Sequence, residues 1–362
     1  MDVRDKLLTE NPWKLMLHLS LPAILGQLIV GLYAFVDSIY VGQMVGTNAM
    51  SAVLVNNAVA VLLGIGSGSV LSRAIGKKNQ EIIDKIIGNL TFLVIMLSSA
   101  VMLIGIAGAP VFLRLSGAQG DVLKMGVSYL RTVYLGSIFV NFMQGANMLI
   151  RAEGRMGTAM GIMAAGAILN IILDPIFILP SRGPQAVAVA TVLSQFIQAL
   201  ITLIYFLKKS PVVRFHGIKP AKDLFPEIFS VGMSAMFMQI MMLVQMTVVY
   251  NTAVQFGGKN QIALMGAAQR VMQLAFVPIW GMSQGMQPAV GTNFGAKLYL
   301  RVKKLTNVFI AGSTCLAGAF FIVIEVFSRR ILSAFITNPD IVSSGLSNFR
   351  LMYCAFATYG LL

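Results

Sequence analysis

Two aspartates stand against an apolar background. Asp37 and Asp174 each lie inside a long hydrophobic run of a 362-residue chain that is 57% hydrophobic and 11% charged. An ionisable side chain in such a run is costly to keep, so each is a functional candidate by default. Asn170 precedes Asp174 by four residues, which puts both on one face of a helix. Depth can be counted from flanking basic residues. Asp37 lies 23 residues beyond Lys14 and Asp174 lies 19 beyond Arg155, a difference of about 6 Å at 1.5 Å per residue. Thr191 is nine residues from Arg182 and Asp174 is eight from the same arginine. Asp37, Asn170, Asp174 and Thr191 are therefore expected in one layer. Two carboxylates in a poorly solvated cavity cannot both stay ionised cheaply: one holds a proton, or the pair holds a cation. That is the chemistry of ion coupling. The competing reading is a hydrogen-bonded cluster that only ties helices together. Pro175 removes a backbone donor and favours a bend beside Asp174.

Other polar groups carry less. Asn141, Gln144 and Asn147 recur at i, i+3, i+6, and Gln269, Arg270 and Gln273 cluster further on; they line a substrate cavity or hydrogen-bond between helices. Six methionines between Met233 and Met246 suit either a promiscuous site or packed and lipid-facing surface. Gly64-x-Gly66-x-Gly68 has no preceding strand and reads as close helix packing rather than nucleotide binding. No Walker, HExxH or GxSxG pattern occurs, and His18 and His216 lack metal-ligand spacing, so the chain does not read as an enzyme. The two cysteines, Cys315 and Cys354, both fall in apolar runs, which argues against a disulfide framework and a structural metal.

The elements that must position these groups are membrane helices. An average soluble domain is about 25% charged, and the mean hydropathy here is +0.80. Most apolar runs exceed the ~20 residues that cross ~30 Å of hydrocarbon as a helix. Ten are expected, at roughly 15–41, 49–72, 88–112, 122–150, 157–179, 185–207, 224–256, 262–290, 305–327 and 341–362. The formal net charge is +14, but it is distributed by loop: eighteen Lys and Arg fall in one alternate set and six in the other. That bias places the N-terminus in the cytoplasm of a multi-pass protein of the plasma or inner membrane, and argues against nucleic acid as partner.

The polar stretch from Lys208 to Asp223 is the expected linker between two lobes, residues 1–207 with six helices and 224–362 with four. Gly66-x9-Gly76 and Gly285-x9-Gly295 repeat at an offset of 219 residues, each before a basic loop, as related lobes of a transporter would. The sequence ends in apolar material at Tyr359-Gly360-Leu361-Leu362, which predicts a truncated second lobe in a fragment of a longer protein.

These residues resemble the multidrug and toxic compound extrusion (MATE) family. The run Tyr33-Ala34-Phe35-Val36-Asp37-Ser38-Ile39-Tyr40-Val41-Gly42 looks like that family's first-helix motif. Asn170-Ile171-Ile172-Leu173-Asp174-Pro175-Ile176-Phe177 closely matches the fifth-helix motif. Ala188-Val189-Ala190-Thr191, Arg151-Ala152-Glu153-Gly154, Gly285-Met286-Gln287-Pro288 and Asn293-Phe294-Gly295-Ala296 match further segments. The resemblance implies an all-α, two-lobe bundle of twelve helices, of which ten are present. It also implies a cation site at Asp37, Asn170, Asp174 and Thr191, and Asn141, Gln144, Gln269 and Arg270 are the cavity candidates. Within the seventh helix no acidic residue lies beyond Glu227 at its very start, which points to the branch that couples through the first lobe and includes bacterial multidrug pumps.

The expected function is secondary active efflux by a monomer that exchanges H⁺ or Na⁺ for amphipathic, cationic drugs or toxic metabolites. Carboxylate, amide and hydroxyl oxygens suit either ion, and no cofactor is expected beyond it. The rival readings are a lipid-linked oligosaccharide flippase of related fold, which would need a more cationic cavity, and an inactive truncated membrane protein.

Overall fold

The computed structural model describes residues 3–44, 47–115, 119–181, 184–336 and 338–361, and every regular element among them is helical. A short α1 (Val3–Thr9) leads into α2 (Pro12–Met44), α3 (Thr47–Lys77), α4 (Gln80–Leu115), α5 (Gly120–Leu135), α6 (Ser137–Ala152), α7 (Met156–Ser181) and α8 (Pro184–Ile204). A π-helical turn, Tyr205–Lys209, opens the linker. Then follow α9 (Phe225–Phe256), α10 (Gly258–Gly295), α11 (Tyr299–Phe335) and α12 (Pro339–Tyr353). Helix is the expected outcome in lipid, where each backbone N–H and C=O must find its partner within the segment.

Among the described residues, seven helices are long and apolar enough to cross a membrane, and eight if the bent pair α5 and α6 is one span. This corrects the expectation of ten, and the reasons are local. The run at 122–150 is not one straight helix but two, bent by 49°, and the break falls at Gly136, where an added Cβ would lie 2.8 Å from Val192 Cγ2. The run at 262–290 is helical in α10, but Gln269, Arg270, Gln273, Gln284 and Gln287 dilute its apolar character. The last run is divided: α12 has 15 residues, about 22 Å of helix, too short for ~30 Å of hydrocarbon. A separate 3-10 turn, Phe356–Leu361, follows it.

The helices before and after the linker meet along a seam of α2, α3, α9 and α10. Glycines let the backbones touch. A Cβ on Gly232 of α9 would sit 2.0 Å from the Leu62 carbonyl oxygen of α3, and one on Gly281 of α10 would sit 2.8 Å from Ile24 Cα of α2. At the end of α3 the contact is reciprocal. A Cβ on Gly76 would meet the Thr292 carbonyl oxygen at 2.1 Å, and one on Gly295 would meet the Arg73 carbonyl oxygen at 2.2 Å. Both pairs obey the 219-residue offset, with Gly295 the counterpart of Gly76 and Thr292 that of Arg73. The second glycine of each echo thus lies at one crossing, where α3 and α10 approach each other through equivalent residues, while Gly66 packs on Ile228 of α9 and Gly285 on Leu19 of α2. Arg73 also pairs with Glu227 across the seam at 2.7 Å.

Helix α1 lies over this end. Arg4 donates from Nε to the Ile75 carbonyl at 3.0 Å and from a terminal nitrogen to the Gly76 carbonyl at 3.1 Å, satisfying carbonyls that the end of a helix leaves unpaired. Asn293 donates to the Leu7 carbonyl at 2.9 Å. The methionine-rich part of α9 divides: Met233 and Met236 pack against the core, while Met238, Met241 and Met242 are exposed.

Candidate functional site

Helices α7 and α8 bring Asn170, Asp174 and the Thr191 backbone into one neighbourhood. Asn170 and Asp174, one turn apart on α7, are both buried, and Asn170 Nδ2 donates to Asp174 Oδ1 at 2.8 Å. From α8, the Ser194 hydroxyl reaches Asn170 Oδ1 at 2.8 Å and lies equally close to the Thr191 carbonyl. The order is Ser194 to Asn170 to Asp174. Each residue holds the next, so the amide is fixed with its donor side on the carboxylate. Asp174 Oδ2 is buried without a hydrogen-bond partner among the described residues.

That oxygen matters chemically. A buried ionised carboxylate with an unpaired oxygen carries a desolvation cost that a proton or a bound cation removes. Asn170 Oδ1, Ser194 Oγ and the Thr191 carbonyl are the neutral oxygens nearby, the hard donors that suit an alkali cation. Thr191 sits in the cluster through its backbone, and its side chain is half-buried. Asp37 falls on α2, and its side chain is outside the described residues. Ser194 was missed by sequence reasoning. Its spacing of three residues from Thr191 was the available signal.

The weaker candidates separate. Asn141 is buried, accepts from the Ala60 N–H at 3.2 Å and donates to Ser98 Oγ at 2.9 Å, which ties α6 to α3 and α4. Gln144 and Gln269 are half-buried and Arg270 is exposed; among the described residues no hydrogen bond or ion pair joins them to Asp174. Asn147 belongs to a network that sequence reading did not assemble. Its Oδ1 accepts from Arg151 Nε at 2.9 Å, and Arg151 also donates to Gln284 Oε1 of α10 at 2.7 Å and to Met163 Sδ at 3.0 Å. A buried arginine thus spans the seam between α6 and α10.

Glu153, just past α6, is buried as well. It accepts from the Tyr205 hydroxyl at 2.8 Å, the Val213 N–H at 2.8 Å and the Ser210 hydroxyl. Burial pushes its carboxyl above the usual carboxylate range, against the pull of these donors and of Arg155. The three donors lie between Tyr205 and Val213, so Glu153 pins the end of the first lobe and the start of the linker to the helices before them. Cys315 and Cys354 are free thiols. Among the described residues no three His, Cys, Asp or Glu side chains cluster as metal ligands.

The MatE family model matches residues 22–176 and 233–361. The multidrug export protein MepA of Staphylococcus aureus is 28% identical over 340 residues, covering 91% of this chain and 75% of that protein. The sequence of the same name from another S. aureus strain is 30% identical over 344 residues, with the same coverages. MepA of Staphylococcus saprophyticus is 27% identical over 349 residues, covering 94% and 76%. Among solved structures, a MATE in complex with MaD3S superposes with a TM-score of 0.90 at 26% identity, covering 98% of this chain and 81% of that one. An outward-facing multidrug resistance MATE family transporter superposes with a TM-score of 0.89 at 25% identity, again covering 98% and 81%.

Proposed function

Because this chain belongs to the MatE family, we propose that it is a secondary active exporter that exchanges H⁺ or Na⁺ for amphipathic, cationic drugs or metabolites. The observation that carries the ion site is the Ser194–Asn170–Asp174 chain with its unpartnered carboxylate oxygen. The coupling ion binds that oxygen, with Asp37 of α2 completing the site and Thr191 contributing from α8. Binding there changes the packing of α7 and α2, and only an ion with different affinity for two arrangements can drive a change between them.

The chain acts as two lobes, residues 1–207 and 224–362, joined by 208–223. The N-terminus is cytoplasmic. The charge bias supports that orientation, because Arg73, Lys77, Lys78 and Lys297 all lie at the closed α3–α10 crossing. With this end sealed, the arrangement is the outward-facing one, ready to release substrate and take up an ion. The protein works as a monomer in the cell membrane. Asn141 holds helices together, while Gln144, Gln269 and Arg270 contribute polar contacts to a substrate path between the lobes.

Asp174→Asn and Asp37→Asn should each abolish efflux of a fluorescent cation from cells while leaving expression intact. Everted vesicles given a pH gradient or a Na⁺ gradient separately identify the ion. Undiminished efflux in both variants would overturn the assignment.

A further inference from the structure

Away from Asp174, the end of α4, helix α5 and the start of α8 line an open pocket of about 510 Å³. Arg114, Lys124 and Arg131 line it, beside Pro110, Leu123 and Val127. An apolar groove of about 300 Å³ runs on from it between α5, α6 and α8, walled by Phe139, Val189, Val192, Leu193 and Phe196. Thr132 and Leu135 line both, so pocket and groove form one continuous channel.

The cations are placed by the fold. Pro110 lies inside α4 and has no N–H to give the carbonyl four residues back. That carbonyl belongs to Ile106, and Arg131 Nε donates to it at 3.3 Å. The proline therefore leaves an acceptor that holds Arg131 at the pocket. Lys124 pairs with Asp121 at 3.7 Å, both side chains being more than four-fifths exposed. Among the described residues no carboxylate pairs with Arg114 or Arg131. Three cations against one carboxylate leave an excess of two positive charges.

The groove has a matching length. Gln185 lines the pocket and Phe196 the far end of the groove, which is about 16 Å along α8 and close to half of a ~30 Å hydrocarbon core. Phe139 and Phe196 close it with an edge-to-face contact at 5.0 Å. Leu135, Val189 and Phe196 are exposed.

We propose that this channel binds one anionic phospholipid, its phosphate against Arg114, Lys124 and Arg131 and one acyl chain along the groove. A free phosphate would have no use for the apolar half, and a neutral lipid would have none for the cations. The inference needs only that the chain sits in a bilayer; it does not depend on the transport reading.

The test is native mass spectrometry of the full chain in neutral detergent, titrated with dioleoyl-phosphatidylglycerol, dioleoyl-phosphatidylcholine and inorganic phosphate. Phosphatidylglycerol should bind about tenfold to thirtyfold more tightly than phosphatidylcholine, the expected effect of two uncompensated charges. Arg114→Gln with Arg131→Gln should erase that preference and leave phosphatidylcholine binding unchanged. Val189→Trp, which fills the groove at an exposed position, should weaken both lipids. Arg329→Gln with Arg330→Gln should change neither. Equal binding of the two lipids by the unmodified protein overturns the proposal. So does full displacement of phosphatidylglycerol by millimolar phosphate, which would mark a bare anion site.

Discussion

The reciprocal glycine crossing makes a quantitative prediction. Gly76→Ala places a Cβ 2.1 Å from the Thr292 carbonyl oxygen, and Gly295→Ala places one 2.2 Å from the Arg73 carbonyl oxygen. An ordinary contact is about 3.5 Å or more, so either alanine forces α3 and α10 apart by about 1 Å at this end. Backbone carbonyls cannot rotate away as a flexible side chain can. Overpacking of this kind costs about 1–3 kcal/mol, and the cost falls only on the arrangement in which the seam is closed. An equilibrium between closed and open seams would shift roughly 5- to 150-fold toward open. Gly108→Ala is the control, because nothing lies within 4 Å of its added methyl. The assay is alkylation of Ser72→Cys by a membrane-impermeant maleimide in everted vesicles, in a background with both native cysteines replaced. Ser72 is buried beside Gly291 at this crossing. Labelling should rise at least several-fold with Gly76→Ala and with Gly295→Ala, and efflux should fall; Gly108→Ala should change neither. Unchanged labelling in both glycine variants, with normal folding, would refute the closed-seam argument.

Three further outcomes follow from the same contacts. Ser194→Ala removes the hydroxyl that orients Asn170, at about 0.5–1.5 kcal/mol; the ion concentration for half-maximal transport should rise about two- to twelvefold with little change in substrate KM. Equal shifts in both constants would count against the orienting role. Arg151→Lys cannot reach Asn147 and Gln284 together as the guanidinium does, so efflux should drop severalfold while Asp174-dependent ion binding, followed by isothermal titration, is retained. Because the Glu153 carboxyl is raised by burial, its contribution to stability is full below the usual carboxylate range and is lost as pH rises through the raised value. The stability difference between wild type and Glu153→Gln in detergent melts should shrink with increasing pH over that window, and a constant difference would exclude the effect.

Much of the architecture is local and therefore readable from the chain. Lipid forces each crossing segment to satisfy its own backbone, so apolar runs become helices in the expected order. The spacing of Asn170 and Asp174 sets them on one face whatever surrounds them. Family membership follows from such linear motifs. The remainder depended on distances between segments far apart in sequence. Whether a run crosses unbroken depended on its packing, as at Gly136 against Val192. Ser194 gained a role only because α8 packs on α7 at that height. Glu153 reads as a loop residue until Tyr205, Ser210 and Val213 fold back over it. The glycine repeat was visible as two equal spacings, yet only the crossing of α3 and α10 set Gly76 on the Thr292 carbonyl and Gly295 on the Arg73 carbonyl. Periodicity fixes the direction in which a side chain leaves its own helix; it carries no information about which helix arrives there.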